Sequence, residues 1–298
     1  MSQELINLIR SRCTPLEPLP TGVARRLDPP ARPLKAVLFD VYGTLFISGS
    51  GDISLAAEQD AEHEMRAALS RAGLKLLSGD HGFHEAFLAR VRGGREGLRR
   101  EGVMHPEVDI REVWREFLAE QREQGVLTGM PDESGTVRLA IEFECAVNPV
   151  WPMPGAVAAL GRLRDQGLQL GLVSNAQFFT PLLFEALMDQ PVDRLGIRSD
   201  LCAWSYQFRR GKPEPGLFLE PLGRLGAEGI RPDEVLVVGN DMLNDIHPAA
   251  ACGTATALFA GDRRSLRLRT DDARCRGLVP SITLACLSDL TSWAGAFA

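Results

Sequence analysis

The sequence predicts an α/β protein: an open parallel sheet with helices on both faces, and a helical body inserted after the first strand. Three observations carry this. Beyond Pro154, short apolar runs alternate with stretches of helical spacing, the pattern of successive βαβ units. One earlier apolar run, Lys35–Asp40, ends on an acid followed by a glycine turn. Between the two, from about residue 53 to about residue 149, apolar positions recur only at helical spacing.

Residues 1–33 stand apart as a leader. A short helical stretch, Glu4–Arg10, is followed by Pro15, Pro18, Pro20, Pro29, Pro30 and Pro33. Proline fixes φ and removes a donor, so an extended segment outside the core is expected, lying on the main body or on a partner chain. Lys35–Asp40 reads as a buried strand because its apolar residues run without alternation. Leu55–Ala72, Phe83–Arg100, Asp109–Gln124 and Val137–Val147 read as helices, with nothing strand-like among them. In the third, Ile110, Val113, Trp114, Phe117 and Leu118 share one face. Asp109 with Glu112 makes a capping pair, and Gly125 is a natural stop. The alternating part then reads as helix Gly155–Gln166, strand Leu168–Ser174, helix Pro181–Met188, strand Leu201–Trp204, helix Pro215–Leu225, strand Glu234–Gly239, helix Asp245–Cys252 and strand Thr254–Phe259.

The insertion leaves from the carboxyl end of the first strand. Ligands of open α/β sheets bind outside the carboxyl ends of the strands, so the insertion is expected over the site as a cap. The expected division is a leader at 1–33, a core at 34–48 and 150–298, and a cap at 49–149. Acids outnumber bases over 46–150, while the remainder is close to neutral.

Composition narrows the function classes. Hydrophobic residues make up 45% and charged residues 24%, as in ordinary globular proteins. No window holds ~18 uninterrupted apolar residues, so no membrane span is expected. The N-terminus lacks the apolar run and cleavage site of a secretory signal. The net charge of −6 argues against a general nucleic-acid binder. The six cysteines have no CxxC spacing and read as free core thiols in a reducing compartment, which places the protein in the cytoplasm.

Four strand ends carry polar clusters. Asp40-Val41-Tyr42-Gly43-Thr44 puts a carboxylate after a buried strand, where it can act as a nucleophile or merely cap a turn. Ser174-Asn175 offers a hydroxyl and an amide that bind an oxyanion or cap a turn. Lys212 stands before Pro213, which disfavours helix at the lysine, so it lies on a loop. There it can neutralise a carboxylate and a substrate anion, or simply face solvent. Gly239-Asn240-Asp241-Met242-Leu243-Asn244-Asp245 crowds acids after an apolar strand, which suits Mg²⁺ or a charged helix start. Gln177 follows the second cluster and is placed to meet a substrate. Gly49-Ser50-Gly51-Asp52 has the composition of a mobile flap. The arginines at 90, 92, 95, 99 and 100 read as a solvated helix face, and no histidine has metal-ligand spacing.

The order Asp-x-x-Gly-Thr, Ser-Asn, Lys-Pro and an acidic loop resembles the haloacid dehalogenase-like hydrolase superfamily over about 34–45 and 150–290. The resemblance implies a Rossmann-like three-layer α/β/α core with a C1-type helical cap. It implies that Asp40 is the nucleophile, that Thr44 steadies its loop, and that Ser174 and Asn175 bind phosphate. It further implies that Lys212 neutralises charge and that Asp241 and Asp245 belong to the metal motif, with the main-chain carbonyl of Tyr42 a ligand to Mg²⁺. Two positions depart from the pattern of its phosphatases. Tyr42 stands where they carry an acid/base Asp, and Asn240 where they carry the metal-binding acid, so either Asn240 binds through its amide oxygen or Asp241 replaces it. The resemblance thus implies a Mg²⁺-dependent phosphatase acting on a small phosphorylated metabolite. A tyrosine at position 42 is familiar instead from the 2-haloacid dehalogenases, and a non-catalytic binding protein with this fold is the third reading.

Overall fold

The computed structural model of the chain describes residues 2–49 and 58–295. In chain order it contains α1 (Ser2–Arg12), β1 (Ala36–Phe39), β2 (Phe46–Ser48), α2 (Glu58–Arg71), β3 (Lys75–Leu76), α3 (Phe83–Arg100), α4 (Ile110–Glu123), β4 (Leu127–Thr128), α5 (Glu133–Val147) and β5 (Val150–Pro152). There follow α6 (Ala156–Asp165), β6 (Gln169–Ser174), α7 (Thr180–Met188), β7 (Ile197–Trp204), α8 (Ser205–Phe208), α9 (Gly216–Ala227), β8 (Val235–Gly239), α10 (His247–Ala251), β9 (Ala255–Phe259), β10 (Ile282–Leu284) and α11 (Leu287–Gly295).

The core sheet is parallel with strand order β10-β9-β8-β1-β6-β7. Side chains alternate across it as a strand requires. Val37 and Phe39 pack into the layer that holds α1, α6, α7 and α11, and Ala36 and Leu38 into the layer under α9 and α10. Both faces are therefore covered, which is why β1 and β8 read as unbroken apolar runs. From β1 the chain winds outward through β6 and β7, then returns to the other flank for β8, β9 and β10. The switch point is at β1, so the carboxyl ends of β8, β1 and β6 open on one crevice.

The helices α2–α5 form the cap over that edge with their own apolar cluster. Phe87, Trp114, Phe117 and Phe143 meet there edge-on or tilted, with centroids 4.4–5.9 Å apart. Asp109 caps α4 by accepting from the Arg111 N–H, and Asp132 caps α5.

Several expectations are corrected. The leader is not outside the core: α1 runs from Ser2 to Arg12, and Ile6 and Ile9 are 1% and 0% exposed. Its apolar stripe lies between α7 of the core and α5 of the cap. The prolines that follow form a strap, in which Arg26 pairs with Thr283 and Leu19 with Arg263. The insertion does contain strands, the pair β3 and β4, and it is entered and left through the antiparallel pair β2 and β5. Two or three residues are too few to show a period of two. The strand ending at Trp204 begins at Ile197, and the stretch expected to be helical from Asp245 starts as a π-turn over Met242–Ile246. Strand β10 and α11 complete the sheet edge beyond the elements expected. The start of the expected helix at Leu55, and the flap apart from Gly49, lie outside the described residues.

Candidate active site

Asp40 follows β1 directly, with its N–H donated to the Val238 carbonyl at 2.9 Å, so it continues the sheet to its edge. Asp40 is 7% exposed, and its carboxylate receives three donors. Lys212 Nζ donates to Oδ1 at 2.6 Å, Ser174 Oγ to Oδ1 at 3.3 Å, and Thr44 Oγ1 to Oδ2 at 3.3 Å. The loop turns back at Gly43, whose φ is +86°. A Cβ there would sit 2.5 Å from Ser265 Cβ and 2.7 Å from Asn240 Nδ2, so only glycine permits this close approach.

Lys212 spends all three of its N–H donors. Besides Asp40, it donates to Asp245 Oδ1 at 2.5 Å and to the Val173 carbonyl at 3.1 Å. Burial pulls its pKa down, but the Asp245 and Asp40 carboxylates outweigh burial and the net shift is upward. Burial lifts the Asp245 carboxyl to about 7; Lys212 opposes the rise, while Asp40 and Asp241 add to it. Asp245 Oδ2 also accepts the Asp241 N–H at 2.9 Å. Gly239 makes room for this side chain, since a Cβ there would lie 2.3 Å from Asp245 Cγ.

Asn240 joins from β8. Its Oδ1 accepts Thr44 Oγ1 at 3.1 Å, and its Nδ2 donates to the Ser265 carbonyl at 2.6 Å. Thr44 Oγ1 thus lies within hydrogen-bond distance of both Asp40 Oδ2 and the Asn240 amide oxygen. Asp241 is turned elsewhere. Arg269 holds its carboxylate in a bidentate pair at 2.6–3.2 Å, and Leu243 N–H, Asn244 N–H and Asn244 Nδ2 supply further donors. The expected convergence of Asp40 and Asp241, with Asn240 or Asp245, on one cation is not the arrangement found, because Asp241 is held by Arg269. Among the described residues no three His, Cys, Asp or Glu side chains gather as a metal cage.

Mg²⁺ does not need three carboxylates; it takes one or two, with other oxygens from protein, water and substrate phosphate. The donor set beside Thr44 fits such an ion. Asp40 Oδ2 and Asn240 Oδ1 are hard oxygens with acceptor capacity left over. The Tyr42 carbonyl accepts no backbone hydrogen bond among the described residues. Ser265 Oγ, buried against the same loop, has no hydrogen-bond partner among the described residues.

Two carboxamides and the tyrosine hydroxyl are engaged by other protein groups. Asn175 Oδ1 accepts the Lys212 N–H at 2.7 Å, and Nδ2 donates to the Lys212 carbonyl at 3.2 Å, so the amide aligns the lysine's backbone. Gln177 spends both ends of its amide on cap backbone, at Val108 and Ile110. The Tyr42 hydroxyl pairs with Thr180 Oγ1 at 2.9 Å. Burial, then the nearby Glu144 carboxylate, push its phenol well above the usual tyrosine range. Sequence reasoning missed Ser265, because a lone serine in the arginine-rich stretch after β9 carries no spacing signal.

The constellation has a recognisable chemistry: a buried carboxylate with oxygen lone pairs to spare, sharing one ammonium with Asp245 and flanked by two hydroxyls. It can attack an electrophile that enters from the sheet edge. The model of the haloacid dehalogenase-like hydrolase family matches residues 34–253. Among curated proteins, the ribulose-1,5-bisphosphate 5-phosphatase of Halopiger xanaduensis is 28% identical over 267 residues, covering 86% of this chain and 99% of its own. The glyceraldehyde 3-phosphate phosphatase of Methanopyrus kandleri is 28% identical over 244 residues, covering 80% and 90%. Among solved structures, a 2-haloacid dehalogenase from Pseudomonas syringae pv. Tomato superposes with a TM-score of 0.56 at 19% identity, covering 89% of this chain and 100% of its own. A haloacid dehalogenase-type phosphatase from Thermococcus onnurineus does so with 0.52 at 20%, covering 88% and 98%. At those identities the two structures speak for the fold alone.

Proposed function

The chain belongs to the haloacid dehalogenase-like hydrolase family, and on that premise we propose that it is a Mg²⁺-dependent phosphatase of small phosphorylated metabolites, with Asp40 as nucleophile. The observation that carries the reading is the charge arrangement at Asp40. Lys212 holds Oδ1 at 2.6 Å while Oδ2 keeps only a 3.3 Å contact to Thr44. Two relatives of nearly full coverage are phosphatases of sugar phosphates, one of a bisphosphate and one of a triose phosphate.

In the proposed reaction an Asp40 carboxylate oxygen attacks phosphorus, the ester P–O bond breaks, and the alcohol leaves with a proton from solvent. Water then attacks the phosphorus of the aspartyl phosphate, releasing inorganic phosphate and restoring the carboxylate. Lys212 and the Ser174 hydroxyl offset the negative charge of the transferring group. Asp40, the Asn240 amide oxygen and the Tyr42 carbonyl would hold Mg²⁺, which supplies electrophilic stabilisation of the phosphoryl oxygens when bound. Asp241 is left out of this set because Arg269 and three N–H donors occupy it.

One observation favours a second reading. Tyr42 removes the carboxylate that would serve as general acid and base, as in a 2-haloacid dehalogenase, where Asp40 would displace halide from carbon. The deciding experiment measures phosphate release from glyceraldehyde 3-phosphate and from an aryl phosphate, with Mg²⁺ and after chelation, beside chloride release from 2-chloropropionate. The expected outcome is Mg²⁺-dependent phosphate release, abolished in Asp40→Asn with the fold retained. Chloride release without phosphate release would replace this reading by the second.

A further inference from the structure

The loop after β6 carries two carboxamides two residues apart, and each clamps one peptide segment. Asn175 holds the N–H and carbonyl of Lys212. Gln177 holds the cap where α4 begins: its Nε2 donates to the Val108 carbonyl at 2.8 Å, and its Oε1 accepts the Ile110 N–H at 2.9 Å. A second thread joins the same two ends. The Gly211 N–H donates to the His105 carbonyl at 2.8 Å, and the Glu107 N–H to the Arg209 carbonyl at 3.1 Å. Arg209 also pairs with Glu112 at 2.7 Å, and the Arg111 guanidinium lies 5.2 Å from the Phe178 ring and 5.6 Å from the Tyr206 ring. The bonds close a ring: cap segment 105–112, Gln177, Asn175, Lys212, and back through 211–209 to the cap.

We propose that Gln177 is a positioning residue that couples the seating of cap segment 105–112 to the placement of the Lys212 ammonium between Asp40 and Asp245. Lys212 has no spare donor, so its backbone must be fixed within a narrow range to satisfy three acceptors at once. Asn175 fixes that backbone from one side and the seated cap from the other. With the cap lifted, the stretch 209–212 loses His105 and Glu107, and of the groups that grip its backbone from outside the loop Asn175 remains. The kinetic consequence rests on the phosphatase reading; the structural coupling does not.

The test is amide hydrogen exchange on the full chain, without substrate or metal, in wild type, Gln177→Ala and Gln177→Glu. Loss of two backbone-directed hydrogen bonds is expected to speed exchange at Glu107 and Ile110 on the order of tenfold or more. The discriminating amide is Lys212, which Gln177 does not touch. Its exchange is expected to rise in parallel in Gln177→Ala and less in Gln177→Glu, which keeps the acceptor for Ile110, while β8 and β9 stay at wild-type rates. Faster exchange at 105–112 with Lys212 unchanged overturns the coupling, and so does a uniform rise that includes β8 and β9. In parallel, kcat for glyceraldehyde 3-phosphate is expected to fall about tenfold in Gln177→Ala with KM within about threefold. If wild type releases no phosphate, the functional reading fails while the exchange result still decides the coupling.

Discussion

At the scale of single residues, the site is organised by what each polar group has left to give. Lys212 has nothing left, Asp241 is taken by Arg269, and the spare acceptors belong to Asp40 and Asn240. Tyr42 is the clearest case. Its hydroxyl is committed to Thr180 in a small cavity of about 10 Å³ lined by Ile9, Glu144, Phe179 and Leu183 among others, about the room of one water. Tyr42→Phe is therefore expected to leave kcat for an aryl phosphate within about threefold and to cost about 1 kcal/mol in stability, the ordinary net worth of one hydrogen bond. A loss of 10²-fold or more, the size of a general acid–base contribution, would make the phenol catalytic. Glu144, on the same cavity, has a carboxyl lifted by burial to about 7, against the opposing hydrogen bond from Asn148. Its folded pKa lies above the unfolded value, so between roughly pH 4 and 7 the native state binds the extra proton. Its contribution is then complete below the unfolded pKa and lost as pH rises through 7. Glu144→Gln removes that loss, and its urea-unfolding free energy is expected to vary less between pH 5 and 8 than that of wild type. Equal pH slopes would place the Glu144 carboxyl in water.

Among the elements, those that were legible in the sequence are the ones with long, strong periods. Asp109–Gln124 shows its buried face as Ile110, Val113, Trp114, Phe117 and Leu118, and α4 is found over Ile110–Glu123. Lys35–Asp40 and Glu234–Gly239 announce buried strands because both faces are apolar, and β1 and β8 pair in register, Phe39 with Val238. The polar strand ends were legible for the same reason: Asp40, Ser174 and Asn240 sit where those runs stop. What was illegible is short or long-range. Strands β3 and β4 have two residues each, and the use of Asp241 depends on Arg269, 28 positions away. The helix of α1 is legible from Glu4–Arg10, but its burial is not, because six prolines after it dominate the composition of the leader, while Leu5, Ile6, Leu8 and Ile9 need a partner face to mean anything. That face is shared. Arg10 donates to the Ala186 and Glu185 carbonyls of α7 and pairs with Asp189 just after it, whereas Arg12 pairs with Glu142 and Glu4 with Arg138 on α5. The helix thus braces the cap stem against the core. Ile9→Ala leaves a cavity where the side chain is wholly buried, and is expected to destabilise the protein by about 2–5 kcal/mol in chemical denaturation. A cost below about 1 kcal/mol would mean that α1 lies loosely on the surface.

On the scale of the whole molecule, the question is whether cap and core behave as one cooperative unit. Their apolar clusters are separate, which by itself favours independent unfolding. Besides the ring of hydrogen bonds that joins segment 105–112 to Gln177 and 209–211, three connections oppose it. Helix α5 belongs to both clusters, with Leu139, Ala140 and Phe143 facing the cap interior and Ile141 and Cys145 the core. The ribbon β2:β5 carries the chain across, with Ser48 Oγ donating to Asn148 Oδ1 at 2.8 Å and Asn148 Nδ2 to Glu144 at 3.1 Å. Helix α1 then spans the outside of that joint. Loss of the cap would expose the core face of α5 and strip α1 of half its partners, so partial unfolding is penalised and a single transition is expected. Four tryptophans allow this to be read locally. Trp114 lies in the cap cluster and Trp293 in the core layer, 1% and 4% exposed. In variants that retain only one of the two, with the other tryptophans replaced by phenylalanine, the urea midpoints are expected to coincide. Adding Ile9→Ala to both is expected to separate them, with the cap reporter Trp114 unfolding first, because the brace between α5 and α7 is weakened while the bonds between the core strands are kept. Distinct midpoints before that substitution would show that α5 and the ribbon do not suffice to join the two clusters into one folding unit.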